Sequence, residues 1–434
     1  MKKNFIKDIL GILSSNLFAI IAGLLFGIIL ARVLGPEGKG IFTSLAVIPT
    51  IVVSFAALGI RRASIYHIGK KKHRADTIAS AVIIILVGSS TIGIIGSIIA
   101  FKLIANPIFS VLLIALTSLI IPFKLSSIYI GGIYIGKENF RFANFLRWIQ
   151  PLISLLILII LVWILKLGVT GAIISILTGS IVASVIAFSK IFKDFSIDLK
   201  IGLTAIKEML QLGIMYALSL LVMQLIYKID ILILEELSTL QEVGYYSIAV
   251  NISEQIWQLP LAIGIIIMSR SANEKKEGEY NTSVTLLLRF SLVCGLAAWA
   301  VLHFIAPIII PIIYGEAFSP ASNILQTILP GIVLFIIFRI LNSRLDGIGK
   351  PTVAIFTVIP ALVINIILNY LWIPEFGGQG AAMATNVSYS FAAVLMIISY
   401  IKITKTSFTK LFLPQKEDIN IIKKVIGKLS HKNE

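Results

Sequence analysis

Cationic side chains inside long apolar stretches are the residues of this chain best suited to do chemistry. Lys124 and Arg339 each lie well within such a stretch. An ionisable residue inside an apolar helix in lipid costs about 2.5–3.5 kcal/mol, so its presence indicates a function. Lysine offers a point charge to anionic oxygens, and arginine offers a bidentate fork. We predict that both line a cavity and bind an anionic group; a structural pair with a carboxylate is the alternative.

Three more cations are candidates for the same binding role. Arg61 and Arg62 lie at one end of the second apolar stretch, and Arg32 lies near the end of the first. Basic residues also anchor helix ends at a membrane surface. For Arg61 and Arg62 the anchoring role is the simpler interpretation.

Polar side chains form one face on each of two further apolar helices. Asn251, Glu254 and Gln255 are spaced to lie on one face of an apolar helix, and Asn365 and Asn369 form a second polar face. Residues three and four apart are neighbours on a helix. These faces suit the binding of sugar hydroxyls, and hydrogen bonds between helices are an equally ordinary use.

Three carboxylates are candidates for a coupling ion. Glu254 lies near the middle of its apolar stretch, Asp230 lies toward the end of another, and Asp346 continues the face of Arg339. A carboxylate within lipid can carry a proton or bind a cation. A buried pair with a nearby cation is the alternative for each.

The composition excludes a soluble protein. Of the 434 residues, 58% are hydrophobic and 13% are charged, and the mean hydropathy is +0.99. Soluble domains are about half apolar and a quarter charged. A cytosolic enzyme, a secreted domain and a free nucleic-acid binder are therefore excluded, and lipid is the main solvent.

Twelve stretches are long and apolar enough to span a membrane as helices, since each crossing needs about 20 apolar residues. A β-barrel would show short alternating segments instead. The predicted spans are 10–33, 41–60, 78–103, 108–135, 149–165, 170–189, 209–234, 244–268, 284–306, 322–345, 352–373 and 380–401.

The basic residues support this count. With the N-terminus inside, 30 of the 37 Lys and Arg residues fall in alternate segments on the cytoplasmic side. Basic residues accumulate in cytoplasmic loops. We therefore predict that both termini are cytoplasmic, and that the net charge of +16 reports topology more than a nucleic-acid partner.

An internal repeat divides the chain. The spacing W-x4-G-x2-G-A begins at Trp163 and again at Trp372, and the residues after Gly40 resemble those after Gly244. The two displacements are similar, 209 and 204 residues. The repeat predicts two parallel six-helix lobes, 1–208 (with a linker at 190–208) and 209–402, related by a two-fold axis along the membrane normal around a central cavity. A basic cytoplasmic tail, 403–434, follows, and its apolar spacing allows a short interfacial helix or a disordered segment.

Several short motifs carry a resemblance to a known family. They are Leu34-Gly35-Pro36-Glu37-Gly38-Lys39-Gly40, Glu242-Val243-Gly244-Tyr245-Tyr246-Ser247 after Asp230, Tyr314-Gly315-Glu316-Ala317-Phe318, Gly347-Ile348-Gly349-Lys350, and the segment from Asn365 to Ala382. Their order resembles the polysaccharide-export flippases of the multidrug/oligosaccharidyl-lipid/polysaccharide exporter superfamily.

The resemblance implies a flippase rather than an enzyme. Members move undecaprenyl-diphosphate-linked oligosaccharides across the bacterial cytoplasmic membrane by alternating access, for surface polysaccharide assembly. A cation-coupled multidrug exporter of the same superfamily is the alternative, and it predicts an acidic or aromatic cavity. A membrane-embedded polymerase or ligase is disfavoured, because it predicts a long extracytoplasmic loop and none is present.

The remaining expectations concern partners. The expected partners are the lipid-linked oligosaccharide, membrane lipids and a coupling proton or sodium ion, and the chain is expected to be a monomer, with polysaccharide assembly proteins as possible partners. No nucleic acid, cofactor or metal is expected. The four histidines, His67, His73, His303 and His431, are scattered and lack the usual spacing of a zinc site.

Overall fold

The regular structure of this protein is helical. The computed structural model describes residues 2–70, 73–104, 109–198, 203–272, 280–350, 352–413 and 415, and within those ranges it contains no strand. The α-helices are α1 (Lys2–Ala56), α2 (Ile60–Gly69), α3 (Ala75–Ile104), α4 (Val111–Ser118), α5 (Ile120–Gly136), α6 (Phe140–Leu158), α7 (Gly168–Asp194), α8 (Leu203–Leu237), α9 (Leu240–Ser253), α10 (Gln258–Ala272), α11 (Asn281–Tyr314), α12 (Pro320–Gly347), α13 (Thr352–Thr404) and α14 (Phe408–Phe412). The predicted all-helical fold is confirmed for these residues. The proposed tail helix lies outside them.

Eight helical segments of the described chain are long and apolar enough to cross a membrane. They are Leu17–Gly69, Ala75–Leu103, Val111–Gly136, Phe140–Ile164, Gly168–Asp194, Asn281–Tyr314, Pro320–Gly347 and Thr352–Thr404. The protein is thus a multi-pass membrane protein, as its composition predicts.

The two longest helices each contain a backbone break. Helix α1 has 55 residues and α13 has 53, which at 1.5 Å per residue is more than twice the roughly 30 Å of bilayer hydrocarbon. Gly35 in α1 has a φ of 67°, and Gly377 in α13 has a φ of 53°. Glycine adopts this left-handed conformation readily, so each long helix is two helices joined at a glycine.

A proline interrupts the helical stretch that carries Lys124. Helix α4 ends at Ser118 and α5 begins at Ile120. Pro122 has no N–H to donate to the Ser118 carbonyl, and its ring crowds that carbonyl. The break between α4 and α5 therefore lies one turn before Lys124.

The described contacts group the chain into two compact units. The first comprises Met1–Ser247, Ile308–Ala321 and Asn369–Gly378, and the second comprises Ile248–Pro307, Ser322–Leu368 and Gln379–Glu434. In the first unit, the buried Tyr129 hydroxyl donates to the Ala56 carbonyl at 3.0 Å. In the second, α12 is the most buried of the candidate spans. The sequence halves 1–208 and 209–402 stay a prediction.

Candidate functional site

A cavity of about 300 Å³ in the first unit is lined by three cationic side chains. They are Arg61, Lys124 and Arg147, and we call this volume the cation cavity. Helix α5 forms one wall of it, with Lys124, Ser127, Ile128, Gly131 and Ile135. Their spacing of three and four residues places them on one helical face. Lys124 borders this volume, and its role in binding stays a prediction.

Helix α6 forms a second wall of the cation cavity. Ala143, Leu146, Arg147 and Gln150 lie along it at helical spacing, and Ser180 of α7 completes the polar lining. Sequence reasoning assigned Arg147 to a cytoplasmic segment and missed it as a site residue. The signal present was its spacing from Gln150, three residues on, which makes a polar stripe on an apolar helix.

A close helix contact positions Arg61 at the cation cavity. Arg61 is the second residue of α2 and packs against Gly132 of α5. A Cβ at residue 132 would lie 2.9 Å from the Arg61 Cα. Because glycine has no Cβ, α2 and α5 can approach this closely. Arg62 is exposed and lies outside the lining of the cavity.

The chemistry of the cation cavity suits an anion. Its lining residues include three cations, two hydroxyls and an amide, and none of them is acidic. Lysine and arginine bind phosphate oxygens through charge-assisted hydrogen bonds, which are about twice as strong as neutral ones. The cavity volume is at the lower end for small-molecule sites.

Asp230 lies in a buried hydrogen-bond network, which we call the Asp230 network. Its side chain is 2% exposed. One carboxylate oxygen accepts a 2.7 Å bond from the Tyr246 hydroxyl, and the other accepts a 2.7 Å bond from the Asn369 amide. Sequence reasoning placed Asp230 and Asn369 in separate roles, and the fold joins them. Both roles stay predictions.

Asn365, one turn before Asn369 on α13, is also enclosed. It is fully buried, and its amide donates to the Ser388 hydroxyl at 3.2 Å. This bond belongs to the second unit. The contact fits the expected alternative for this face, a hydrogen bond between helical segments.

Arg339 stacks on aromatic rings in the second unit. Its guanidinium carbon lies 3.9 Å from the centroid of the Trp257 ring and 5.7 Å from that of Phe335. The buried Trp257 indole in turn donates to the Ile332 carbonyl at 2.9 Å. A cation held on a ring face in this way contributes about 0.5–2 kcal/mol. Trp257 was not among the predicted site residues.

The predicted face of Asn251, Glu254 and Gln255 is interrupted. Helix α9 ends at Ser253, and Glu254–Trp257 is a short 3₁₀ helix. Pro260 has no N–H for the Ile256 carbonyl, which explains the tightening there. Asn251 is exposed, and the Gln255 amide donates to its carbonyl at 2.9 Å.

The last two predicted residues contact protein groups near helix ends. Asp346 accepts a 3.1 Å bond from the Asn342 amide, one turn earlier on α12. Arg32 donates through Nε to the Ile313 carbonyl at 2.7 Å and also bonds the Ile312 carbonyl. These carbonyls lie in the last turn of α11, where no intrahelical donor is available.

A comparison with family models identifies the chain. The model described as polysaccharide biosynthesis protein matches residues 5–265, which is more than half of the chain. The chain belongs to this family. A second model, described as MatE, matches residues 216–371.

Relatives of this chain include proteins named as transporters. An uncharacterized membrane protein of Methanocaldococcus jannaschii is 24% identical over 92% of this chain and 98% of its own. A putative O-antigen transporter of Shigella flexneri is 23% identical over 85% of this chain and 90% of its own. A probable low-salt glycan biosynthesis flippase of Haloferax volcanii is 24% identical over 38% of this chain and 36% of its own.

Solved structures show the same fold. The lipid II flippase MurJ, in an inward-closed conformation, matches with a TM-score of 0.73 and 17% identity over 92% of this chain and 88% of that one. An inward-facing multidrug transporter of the MATE family matches with a TM-score of 0.72 and 19% identity, covering 89% and 95%. The two family models and the relatives named as transporters, together with this shared fold, confirm the predicted superfamily, and the chain is a membrane transporter of that superfamily.

Proposed function

We propose that this protein is a flippase for undecaprenyl-diphosphate-linked oligosaccharides. The observation that carries the proposal is the cation cavity, where Arg61, Lys124 and Arg147 line one volume without an acidic neighbour in its lining. Family membership and the relatives named as an O-antigen transporter and a glycan flippase support it.

The physical task of such a flippase is to move a diphosphate across hydrocarbon. Transfer of an isolated charged group into a low-dielectric medium costs tens of kcal/mol by Born solvation. A polar cavity bearing cations replaces the lost hydration while the polyprenyl tail stays in lipid. Lys124, Arg61 and Arg147 bind the diphosphate in this proposal, and Ser127, Ser180 and Gln150 bind its oxygens or the first sugar.

The other predicted binding residues do not carry the proposal. Arg339, Asn251, Gln255, Asn365, Asn369, Arg62 and Arg32 lie outside the lining of the cation cavity, and a binding role for each stays a prediction. The cycle is coupled to a proton or sodium ion through Glu254, Asp230 or Asp346. Alternating access moves the cargo from the inner to the outer leaflet of a bacterial plasma membrane, with both chain termini in the cytoplasm.

We infer twelve spans in two six-helix lobes. The breaks at Gly35 and Gly377 divide two of the eight long segments, and α8 to α10 supply the remaining length. The repeat supports a two-fold relation, because its equivalent residues Gly40 and Gly244 pack together: a Cβ on Gly40 would lie 3.2 Å from the Gly244 nitrogen. Residues on a two-fold axis contact their own equivalents.

A multidrug exporter is the second candidate function. The MatE match over residues 216–371 and relatives named as probable multidrug resistance proteins favour it. Such a transporter for cationic drugs needs an acidic or aromatic cavity. The three cations of the cation cavity argue against it.

Reconstituted proteoliposomes test the proposal. They contain an undecaprenyl-diphosphate oligosaccharide, and flipping is measured as sugar that becomes accessible to an added lectin. We expect protein-dependent flipping that falls at least about tenfold in Lys124→Gln and Arg147→Gln, because each loses a charge-assisted contact worth about 1.5–3 kcal/mol. Arg141→Gln is the matched control for Arg147→Gln. Arg141 lies on α6, as Arg147 does, but it is exposed and lies outside the cavity lining. Flipping that is unchanged in both cavity variants contradicts the proposal, and uptake of a cationic dye in its place favours the exporter.

A further inference from the structure

The fold brings together two histidines and a glutamate that are distant in the sequence. His67 lies in the last turn of α2, His73 follows α2, and Glu208 lies in the second turn of α8. One ligand atom from each of the three side chains lies within 4.8 Å of the other two. We call this group the His–Glu cluster. It lies outside the residues that line the cation cavity.

The environment of the His–Glu cluster is partly closed to solvent. His67 is 3% exposed. The His73 and Glu208 side chains are 21% and 26% exposed, and His73 Nε2 lies 2.8 Å from a Glu208 carboxylate oxygen. The rings of His67 and His73 have centroids 5.8 Å apart. The three side chains therefore converge on one small volume that solvent reaches from one side.

The packing of α2 against α8 positions two of the three side chains of the His–Glu cluster. Helix α2 packs against α8, the helix that carries Glu208. The contact is close, because a Cβ on Gly213 of α8 would lie 2.2 Å from the Leu58 carbonyl oxygen that precedes α2. Two of the three ligands are thus presented by helices whose spacing is set elsewhere, which is what a preorganised site needs.

The donor set is that of a transition-metal site. Two imidazole nitrogens and one carboxylate oxygen form the three-ligand set of several catalytic zinc sites, which keep the fourth position for water. Bonds of about 2.0–2.2 Å to a tetrahedral ion place the ligand atoms about 3.4 Å apart. The ligand atoms of the three side chains already lie within 4.8 Å of one another, so that the separations have to shorten by at most about 1.4 Å.

We propose that His67, His73 and Glu208 bind a divalent transition-metal ion, with Zn²⁺ as the natural fit. The ion ties the end of α2 and the segment after it to the start of α8. The site cannot be recognised from the sequence alone. His67 and His73 are six residues apart, Glu208 follows His73 by 135 residues, and this spacing matches no compact metal-binding motif. Hydrogen bonding between His73 and Glu208 alone is the competing explanation of the cluster.

Zinc binding by the full-length protein tests the proposal. The protein is purified in detergent with an affinity tag that contains no histidine, stripped with a chelator and dialysed against buffered Zn²⁺. We expect one zinc ion per chain and a melting temperature raised by several degrees. In His67→Gln and Glu208→Gln the affinity for zinc falls at least about tenfold, since loss even of a residue that only hydrogen-bonds a metal ligand costs that much. His303→Gln is the matched control and retains full binding.

A measurement on the unmodified protein covers the case in which a variant fails to fold. Co²⁺ replaces Zn²⁺ in the stripped wild-type protein, and its visible absorption reports the coordination geometry. A spectrum of tetrahedral ligation by nitrogen and oxygen, lost on addition of one equivalent of Zn²⁺, supports the site. Absence of stoichiometric binding, or a spectrum of hexa-aqua Co²⁺, overturns the proposal and leaves the His73–Glu208 hydrogen bond as the role of the cluster.

Discussion

The cation cavity and the Asp230 network both lie in the first unit, but their ionisable side chains have different surroundings. In the cation cavity, Lys124, Arg61 and Arg147 border an open volume of about 300 Å³. In the Asp230 network, the carboxylate is 2% exposed and each of its oxygens accepts a hydrogen bond from a protein donor. In the first arrangement the charged side chains border a cavity, and in the second the charged group is bonded to donors of the protein itself.

This difference qualifies the rule that an ionisable residue within an apolar helix marks a functional site. The cost of placing the charge in lipid can be offset by binding a cargo or by saturating the group with internal hydrogen bonds. Only the first use requires a cavity. Experiments can therefore distinguish the two regions. We expect substitutions in the Asp230 network mainly to lower the free energy of unfolding, and substitutions in the cation cavity mainly to weaken cargo binding.

The largest expected effect on stability is that of Asp230→Ala. The substitution removes the acceptor of the Tyr246 hydroxyl and of the Asn369 amide. Each buried donor that loses its acceptor costs about 1–3 kcal/mol. We expect the free energy of unfolding to fall by about 2–6 kcal/mol, measured by thermal or denaturant unfolding in detergent.

Glu236→Ala is the matched control for Asp230→Ala. Glu236 lies on the same helix but is exposed, and it accepts one 3.0 Å bond from the Tyr370 hydroxyl. An exposed contact of this kind is worth about 0–1 kcal/mol. If Asp230→Ala is as stable as the control yet loses flipping, Asp230 carries a coupling ion, and the contrast between the two regions is broken.

The two regions also differ in how well the sequence predicts them. The helices follow from long apolar runs, and Lys124 and Asp230 are each visible as a charge within one of them. Their hydrogen-bond and cavity partners are not visible in the sequence. The Asn369 amide that bonds Asp230, for example, lies 139 residues further along the chain. Pairing across such separations depends on how helices pack, which no local pattern encodes.

We expect an intermediate loss of stability from Gly132→Ala. This substitution alters α5, which forms a wall of the cation cavity, without removing a cation. The new Cβ would lie 2.9 Å from the Arg61 Cα and 3.0 Å from the Arg61 carbonyl oxygen, both backbone atoms. Overpacking of this kind costs about 1–3 kcal/mol. We expect that loss in the free energy of unfolding, together with weaker binding of undecaprenyl diphosphate because Arg61 is displaced.

Gly131→Ala tests whether the loss of stability in Gly132→Ala comes from this contact. Because Gly131 itself lines the cation cavity, only the free energies of unfolding of the two variants are compared. A Cβ added at the adjacent glycine would have no neighbouring atom within 4 Å. Replacing a glycine by alanine within a helix then stabilises by about 0.5–1 kcal/mol. Equal destabilisation by the two substitutions would show that the approach of α2 to α5 does not position Arg61.

Arg147 and the His–Glu cluster show where prediction from sequence stops. Arg147 lies just before the predicted span 149–165, where a topological anchor is the ordinary interpretation. Its place in the cation cavity depends on which face of α6 meets α5. The cluster depends on α8 packing against α2. In both cases the residue types are plain in the sequence, and only their three-dimensional neighbours assign the chemistry.

The smallest effect is expected from Arg32→Gln, at a residue that the sequence nominates for cargo binding. Arg32 is exposed, and its guanidinium bonds the Ile312 and Ile313 carbonyls at the end of α11. A cation near a helix C-terminus contributes about 0.3–1 kcal/mol. We expect Arg32→Gln to lower the free energy of unfolding by less than about 1 kcal/mol and to leave flipping unchanged, with Arg32→Lys closer to wild type because the charge is retained. A loss of flipping in Arg32→Gln at unchanged stability would return Arg32 to the binding residues, and would show that a charge bonded to the protein's own carbonyls can still serve the cargo.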